Sequence, residues 1–145
     1  MKQFLFSTND SWTGLILRFS LGAIMFTHGA QKSIGVFGGS GFKASMNYFT
    51  DVMKLPGLIA FAVITIEFIG SLCLIAGIGT RICAILMIAV MLGAIFTVNY
   101  KNGFFMNWYG SQQGEGYEYH LLVIAICTAL LCTGGGKFSM DKLIQ

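Results

Sequence analysis

Two charged side chains stand inside apolar stretches of this sequence, where a charge needs a partner. Arg18 lies about 9 Å into the first stretch at 1.5 Å per residue, and Glu67 lies about 16 Å into the second. A charge on a membrane-spanning helix costs roughly 2.5–3.5 kcal/mol on insertion scales, so each must be paired or face a hydrated cavity. We therefore expect an intramembrane ion pair between Arg18 and Glu67. Such a pair either fixes the packing of the two helices or lines a polar pocket for a ligand or a proton path.

A second polar group is expected where the first apolar stretch ends and the last one begins. His28 and Lys32 stand at the end of the first stretch, and Glu118 and His120 stand at the start of the last. If these ends share one side of a membrane, the four side chains form a candidate cluster for a quinone headgroup or another small polar group. The alternative is that they are anchored in hydrated lipid headgroups. A metal site is not expected, because single residues on separate segments lack an HxxH or HExxH spacing.

The four cysteines lie in or beside apolar stretches and form no CxxC pair. They are Cys73, Cys83, Cys127 and Cys132. The favoured interpretation is that they pack as small hydrophobic side chains. A thiol relay between helices is the alternative, and in it Cys127 and Cys132 need partners elsewhere, because they stand about 140° apart around one helix.

The elements that carry these residues have the composition of a membrane protein. Only 10% of the 145 residues are charged, against roughly 25% in a soluble domain. Mean hydropathy is +0.73. The basic residues are scattered singly, with no run that would track a phosphate backbone, so nucleic acid is not an expected partner. Composition thus argues against a soluble enzyme and a disordered tail, and it makes the lipid bilayer the first expected partner.

Four apolar stretches predict helices at about residues 12–30, 56–79, 82–98 and 119–133. We expect an all-α fold in one domain, residues 1–145: an integral membrane four-helix bundle, antiparallel and up-down, with both termini on the same side. Loops 31–55 and 99–118 then lie on the opposite side. These loops are rich in aromatic residues, which predicts either a lid folded onto the bundle or an interfacial belt. Lysine and arginine divide equally between the two sides, so the positive-inside rule assigns no orientation.

Glycines accompany Arg18 along one face of the first predicted helix. Gly14 and Gly22 stand four residues from Arg18 on either side, and Gly29 falls within about 20° of it at 100° per residue. Small residues on one stripe allow a second helix to approach closely. The stripe predicts either tight packing within the bundle or a face that binds another membrane protein.

The order of these residues resembles the DoxX family of small four-helix membrane proteins. Its opening pattern is matched by Leu17, Arg18, Gly22, Phe26, His28, Gly29 and Lys32, and its middle by Glu67, Gly70, Gly77, Thr80 and Arg81. Its closing pattern is matched by Glu118 and by the stretch Gly134, Gly135, Gly136, Lys137, Phe138, Ser139, Met140 and Asp141. The resemblance implies structural roles for Gly22, Gly29, Gly70, Gly77, Thr80, Arg81, Ser139 and Asp141. One departure is Gly135, where the family often has proline.

The resemblance also implies a class of function. Members are commonly called oxidoreductases, through kinship with a membrane subunit of thiosulfate:quinone oxidoreductases and association with thiol-redox partners. A redox-linked subunit in the inner, or cytoplasmic, cell membrane would hold no intrinsic cofactor, bind quinone and take electrons from a partner protein, because the chain has no haem, flavin or iron–sulfur signature.

Two other classes of function stay open. Distant relatives act as membrane chaperones or receptors, so a non-enzymatic accessory that binds proteins, or a second copy of itself, through its glycine faces is the alternative. A self-contained thiol oxidant is disfavoured by the missing CxxC.

Overall fold

The structure, a computed structural model, describes residues 6–143, and the regular elements over that range are all helical, which confirms the all-α part of the predicted fold. Helix α1 spans Trp12–Ser33 and α2 spans Gly41–Asn47. Helix α3 runs over Gly57–Ala76 and α4 over Thr80–Asn102, and each contains one π-helical turn. Helix α5 spans Glu118–Thr133, and a short 3₁₀ turn, Met140–Leu143, follows it.

Helices α3 and α4 are long and apolar enough to cross a membrane, and α5 is a shorter apolar helix. Helix α1 has 22 residues, but Arg18, His28 and Lys32 lower its hydropathy. Large apolar side chains are exposed on these helices, including Leu58, Phe96 and Leu122. Exposed apolar surface of this extent is typical of a protein that contacts lipid or another protein.

The helix bounds differ from the predicted ones where local chemistry overrides hydropathy. Helix α3 ends at Ala76, because Gly77 and Gly79 adopt the left-handed backbone conformation, with φ of 72° and 57°, that closes the turn to α4. Helix α4 begins at Thr80 rather than near residue 82 and continues to Asn102. The predicted loop 31–55 contains α2 and a π-helical turn, Tyr48–Val52.

The core lies between α1, α3, α4 and α5. Its most buried side chains include Leu21, Met25, Leu74, Met87, Cys127 and Leu130. Helix α1 approaches α3 closely at two glycines. A Cβ atom on Gly22 would lie 2.9 Å from the Ser71 carbonyl oxygen, and a Cβ atom on Gly29 would lie 2.6 Å from the Glu67 carbonyl oxygen. These two glycines therefore bring the polar residues of α1 against the backbone of α3.

Candidate functional site

Arg18 is buried and is held by backbone carbonyl groups, so the expected Arg18–Glu67 ion pair was wrong. Its Nε donates to the Gly135 carbonyl at 2.7 Å, and its Nη1 and Nη2 donate to those of Leu74 and Lys137 at 3.1 Å each. A further bond goes to the Ile75 carbonyl. The last carbonyls of a helix have no partner within it and carry partial negative charge. Arg18 therefore caps the end of α3 and ties it to the glycine-rich segment, and this leaves Glu67 to another partner.

Arg81 and Asp141 cap two further helix ends beside Arg18. Arg81 is buried, and its guanidinium donates to the carbonyls of Leu131 and Cys132 at the end of α5, at 2.8 and 3.3 Å. The Asp141 carboxylate accepts from the backbone N–H groups of Gly79 and Thr80 at 2.6 and 3.0 Å, which caps the start of α4. Both residues of the family motif therefore bind the backbone groups at the ends of helices.

The glycine-rich segment 134–136 fits against this cluster only because its residues lack side chains. A Cβ atom on Gly135 would lie 2.3 Å from Ser139 Oγ and 2.7 Å from Thr80 Oγ1. Ser139 Oγ donates to the Gly77 carbonyl at 2.8 Å. A proline at position 135 would place its Cβ against these two hydroxyl groups, so it would not fit this arrangement.

Glu67 pairs with Lys32, at 2.6 Å between Oε2 and Nζ. The Glu67 carboxylate is buried, whereas the Lys32 side chain is 29% exposed. Glu67 belongs to the π-helical turn Ile66–Gly70 of α3, a feature that often marks functional positions in helices. Gly29 packs directly on the Glu67 backbone, one turn before Lys32 on α1. The two charges therefore meet at the level where α1 ends, far along α1 from Arg18.

Three further side chains surround this ion pair. The rings of His28 and Tyr119 have centroids 5.8 Å apart, and Tyr119 packs edge-on against His120 at 5.7 Å. Glu67 is close enough to interact electrostatically with His28 and Tyr119, as His28 is with His120. The Nδ1 atom of His120 is buried and has no hydrogen-bond partner within residues 6–143. We call His28, Lys32, Glu67, Tyr119 and His120 the polar cluster.

Glu118 serves a different purpose from the one expected of it in the ligand-binding cluster. Its Oε1 accepts from the Met106 backbone N–H at 2.9 Å and from Trp108 Nε1 at 3.2 Å. The Glu118 N–H donates to the Phe104 carbonyl. The loop before α5 thus folds back on the start of that helix. The Glu118 carboxylate is directed to this loop rather than toward His28.

An open groove of about 560 Å³ lies between this loop and α5. Its walls come from Met106, Trp108, Glu118, Tyr119 and Leu122. Tyr119 lines this groove and also reaches the interior, where its hydroxyl contacts the Met25 sulfur at 3.4 Å. One residue therefore connects an apolar surface groove with the polar cluster.

Tyr119 and the π-helical turn are the parts of the site that sequence reasoning missed. A signal for Tyr119 was present, since it stands between Glu118 and His120 at the start of an apolar stretch. Within residues 6–143, no three His, Cys, Asp or Glu residues are grouped to hold a metal ion.

The N- and C-terminal segments meet through Asp10 and Lys142, outside the apolar helices. The hydrogen bond from Lys142 holds the pKa of the exposed Asp10 carboxyl below its usual value, with a further contribution from the Lys142 charge. A lowered carboxyl pKa stabilises the fold above the unfolded pKa, and that contribution is lost as pH falls through the folded pKa. Because the Asp10 carboxylate is exposed to solvent, this contribution to stability is small.

Comparison with known proteins gives two matches. A family model described as DoxX matches residues 13–100. A relative from Bacillus subtilis (strain 168), named "Putative oxidoreductase CatD", is 32% identical over 130 residues, which span 90% of this chain and 85% of the relative. No solved structure is significantly similar to the chain. The family match includes Arg18, His28, Lys32 and Glu67.

Proposed function

Because the chain belongs to the DoxX family of membrane proteins, we propose that it is a redox-linked subunit of the cell membrane that binds a quinone at the polar cluster. The relative's printed name supports a redox role in general terms. A partner redox protein supplies the electrons, because the sequence has no haem, flavin or iron–sulfur signature.

The membrane arrangement that we propose has four spans, α1, α3, α4 and α5, antiparallel in sequence order and with both termini on one side. Helices α3 and α4 support it by length and apolarity. The polar residues of α1 are compatible with a span because Arg18 is satisfied by carbonyls and Lys32 by Glu67. The loop folded onto Glu118 extends the short α5 toward the membrane surface.

The polar cluster has the donor set that a quinone headgroup needs. A bound quinone supplies an acceptor of two electrons and two protons. Tyr119, His120 and Lys32 are able to donate hydrogen bonds to carbonyl oxygens, and Glu67 and His28 are able to hold or pass protons. The groove beside Tyr119 offers apolar walls for an isoprenoid chain.

The observation that carries the proposal is the orphaned His120 Nδ1. A buried polar atom without a partner costs roughly 1–3 kcal/mol, so native proteins keep few of them without a reason. This one belongs to a ring that packs edge-on against Tyr119, and Tyr119 in turn lines the groove. A ligand carbonyl or hydroxyl at this position would complete its hydrogen bonding.

The test is the melting temperature of purified protein in mild detergent across a decylubiquinone series. A ligand that binds only the folded state at a hundred times its Kd stabilises it by about 2.7 kcal/mol, which raises the melting temperature by roughly 5 °C or more. We expect this rise in the native chain and its loss in His120→Phe, which keeps a ring against Tyr119, and in Glu67→Gln.

The matched control is Thr128→Val on the same helix, whose exposed hydroxyl donates to the Ile124 carbonyl of its own helix. It is expected to respond to quinone as the native chain does. A melting temperature that stays constant across the series in the native chain would contradict quinone binding.

The accessory role has less support. Gly14, Gly22 and Gly29 pack against the 134–136 segment and α3. These glycines are therefore engaged within the chain, and their face is covered.

A further inference from the structure

Phe138 presents its ring to the outside of the helix assembly from a strained backbone conformation. Its φ is 55°, in the left-handed region that bulky side chains rarely adopt, and the side chain is 75% exposed. A glycine would take this conformation at no steric cost. A ring that is so exposed gains little inside the chain to offset the strain, so the strain points to a role outside the chain.

The residues on both sides of Phe138 hold this conformation in place. The carbonyl of Lys137 accepts from Arg18 Nη2 at 3.1 Å. On the other side, Ser139 Oγ donates to the Gly77 carbonyl at 2.8 Å. A strained conformation persists only where its surroundings impose it, and these two contacts do so. Phe138 therefore keeps its ring in a fixed direction between two anchored neighbours.

Trp12 and Lys137 form one exposed patch with Phe138. The rings of Trp12 and Phe138 meet edge to face, with their centroids 6.1 Å apart, and the Lys137 ammonium lies 4.6 Å from the centre of the Trp12 ring. We call these three residues the aromatic patch. Two rings with a cation beside them combine an apolar surface with a charge that complements a phosphate.

The aromatic patch continues the exposed apolar face of α1. Trp12, Ile16 and Phe19 follow one another at spacings of four and three residues, and each is more than half exposed. In the proposed membrane arrangement this face contacts lipid tails, and Trp12 is the first residue of the helix. The patch then lies where the tails meet the headgroups, the level at which tryptophan rings and long lysine side chains are favoured.

We infer that the aromatic patch anchors the start of α1 in the phospholipid headgroup layer. The rings of Trp12 and Phe138 lie at the level of the acyl esters, and Lys137 binds a lipid phosphate. Contact with the bilayer is then what offsets the strain at Phe138. The inference does not depend on quinone binding, and it rests on the proposed function only in taking α1 as a membrane span.

The experiment measures the depth of the two rings in a bilayer. The chain has two tryptophans, so Trp108→Phe leaves Trp12 as the only one. The full chain is placed in phosphatidylcholine vesicles whose acyl chains carry bromine, a contact quencher of tryptophan fluorescence, either near the ester or near the methyl end. Bromine near the ester should quench Trp12 about twofold more than bromine near the methyl end. Phe138→Trp, in a chain whose native tryptophans are phenylalanine, should give the same order.

The matched control is Phe19→Trp, made in the same background on the same exposed face. It lies seven residues beyond Trp12, about 10 Å deeper at 1.5 Å per residue, so bromine near the methyl end should quench it more. If Phe19→Trp behaves in this way while neither bromine quenches Trp12, α1 spans the membrane and the anchor is overturned. Stronger quenching of Trp12 from the methyl end also overturns the anchor. If no position on α1 is quenched, the proposed span fails together with the anchor.

A comparison of two lipids tests the contact between Lys137 and phosphate. Phosphatidylcholine carries a phosphate, whereas digalactosyldiacylglycerol with the same acyl chains carries none. The native chain should unfold at a higher temperature in phosphatidylcholine vesicles, and Lys137→Gln should narrow the difference between the two lipids. The phosphate contact is overturned if the native chain unfolds at the same temperature in both lipids, or if Lys137→Gln leaves the difference unchanged.

Discussion

Arg18 and Lys32 lie on the same helix, but they are stabilised by different chemistry. Arg18 distributes its planar set of donors over carbonyls from α3 and the glycine-rich segment. Lys32 presents a compact charge to one carboxylate, that of Glu67. A guanidinium can satisfy several acceptors in fixed directions at once, whereas an ammonium cannot reproduce that geometry. The two cations are therefore not interchangeable at these positions.

Arg18→Lys should destabilise the protein although it keeps the charge. A lysine presents all its donors from one nitrogen and cannot reach every carbonyl that Arg18 binds. At least one buried carbonyl is then left unpaired, at a cost of about 1–3 kcal/mol. Unfolding followed by temperature or denaturant in detergent measures the loss. The exposed Lys43→Arg on α2 makes the reverse exchange as a control and should leave stability unchanged. If Arg18→Lys unfolded at the same temperature as the native chain, the contacts of Arg18 with the backbone carbonyls would have no role in stability.

Sequence reasoning found the residues that need partners but not the partners. Arg18, His28, Lys32 and Glu67 stood out because polar side chains are rare in apolar stretches. Depth along straight helices then suggested joining Arg18 to Glu67. The nearer partner of Arg18 is a set of backbone carbonyls at a helix end and in a segment more than a hundred residues later, which have no signature of their own in the sequence.

At the scale of elements, the α1–α3 contact positions the polar cluster. Gly29 allows the α1 backbone to rest on Glu67, and Lys32 reaches the carboxylate from the next turn. Any side chain at position 29 would separate the helices at the level of the ion pair. The contact is therefore both a packing feature and a determinant of the site.

Gly29→Ala should lower the melting temperature, because its Cβ would lie 2.6 Å from backbone atoms of Glu67 and Phe68, which cannot rotate away. The expected loss is about 1–3 kcal/mol, the range for overpacking a core. Gly93→Ala on α4 is the matched control, since a Cβ there meets nothing within 4 Å. Alanine should be neutral or stabilise that helix by up to about 1 kcal/mol. Equal effects of the two changes would argue against close packing at Gly29.

Hydropathy predicts the helices whose apolar stretches are long, as in α3 and α4. It does not predict the residues at which these helices begin and end. The start of α4 depends on Asp141, which binds the Gly79 and Thr80 N–H groups from about sixty residues away. Helix α2 was missed because Gly41–Asn47 is short and carries no long apolar stripe.

At the scale of the molecule, one end of the helix assembly is joined by the closing segment. Arg18 connects this segment to the end of α3, and Asp141 connects it to the start of α4. Arg81 joins α4 to the end of α5 at the same end of the assembly. At the other end, Glu118 holds the loop before α5. Arg18 and the polar cluster therefore lie toward opposite ends of α1, which separates the residues that bind helix ends from those proposed to bind quinone.

The proposed four-span arrangement predicts that the segments at these two ends lie on opposite sides of the membrane. Single cysteines at Asn9, Lys43 and Ser111, all exposed, test it in a chain whose native cysteines are alanine. A membrane-impermeant maleimide, applied to intact cells and then to permeabilised ones, should label Lys43→Cys and Ser111→Cys in one condition. Asn9→Cys should show the opposite pattern, because two proposed spans separate Lys43 from Ser111, whereas one span separates Asn9 from Lys43 and three separate it from Ser111. The cysteine-free chain must keep the native melting temperature for the comparison to hold. If Asn9→Cys and Ser111→Cys were labelled in the same condition, the two positions would lie on the same side of the membrane. Three spans could not then lie between them, and the proposed topology would be excluded.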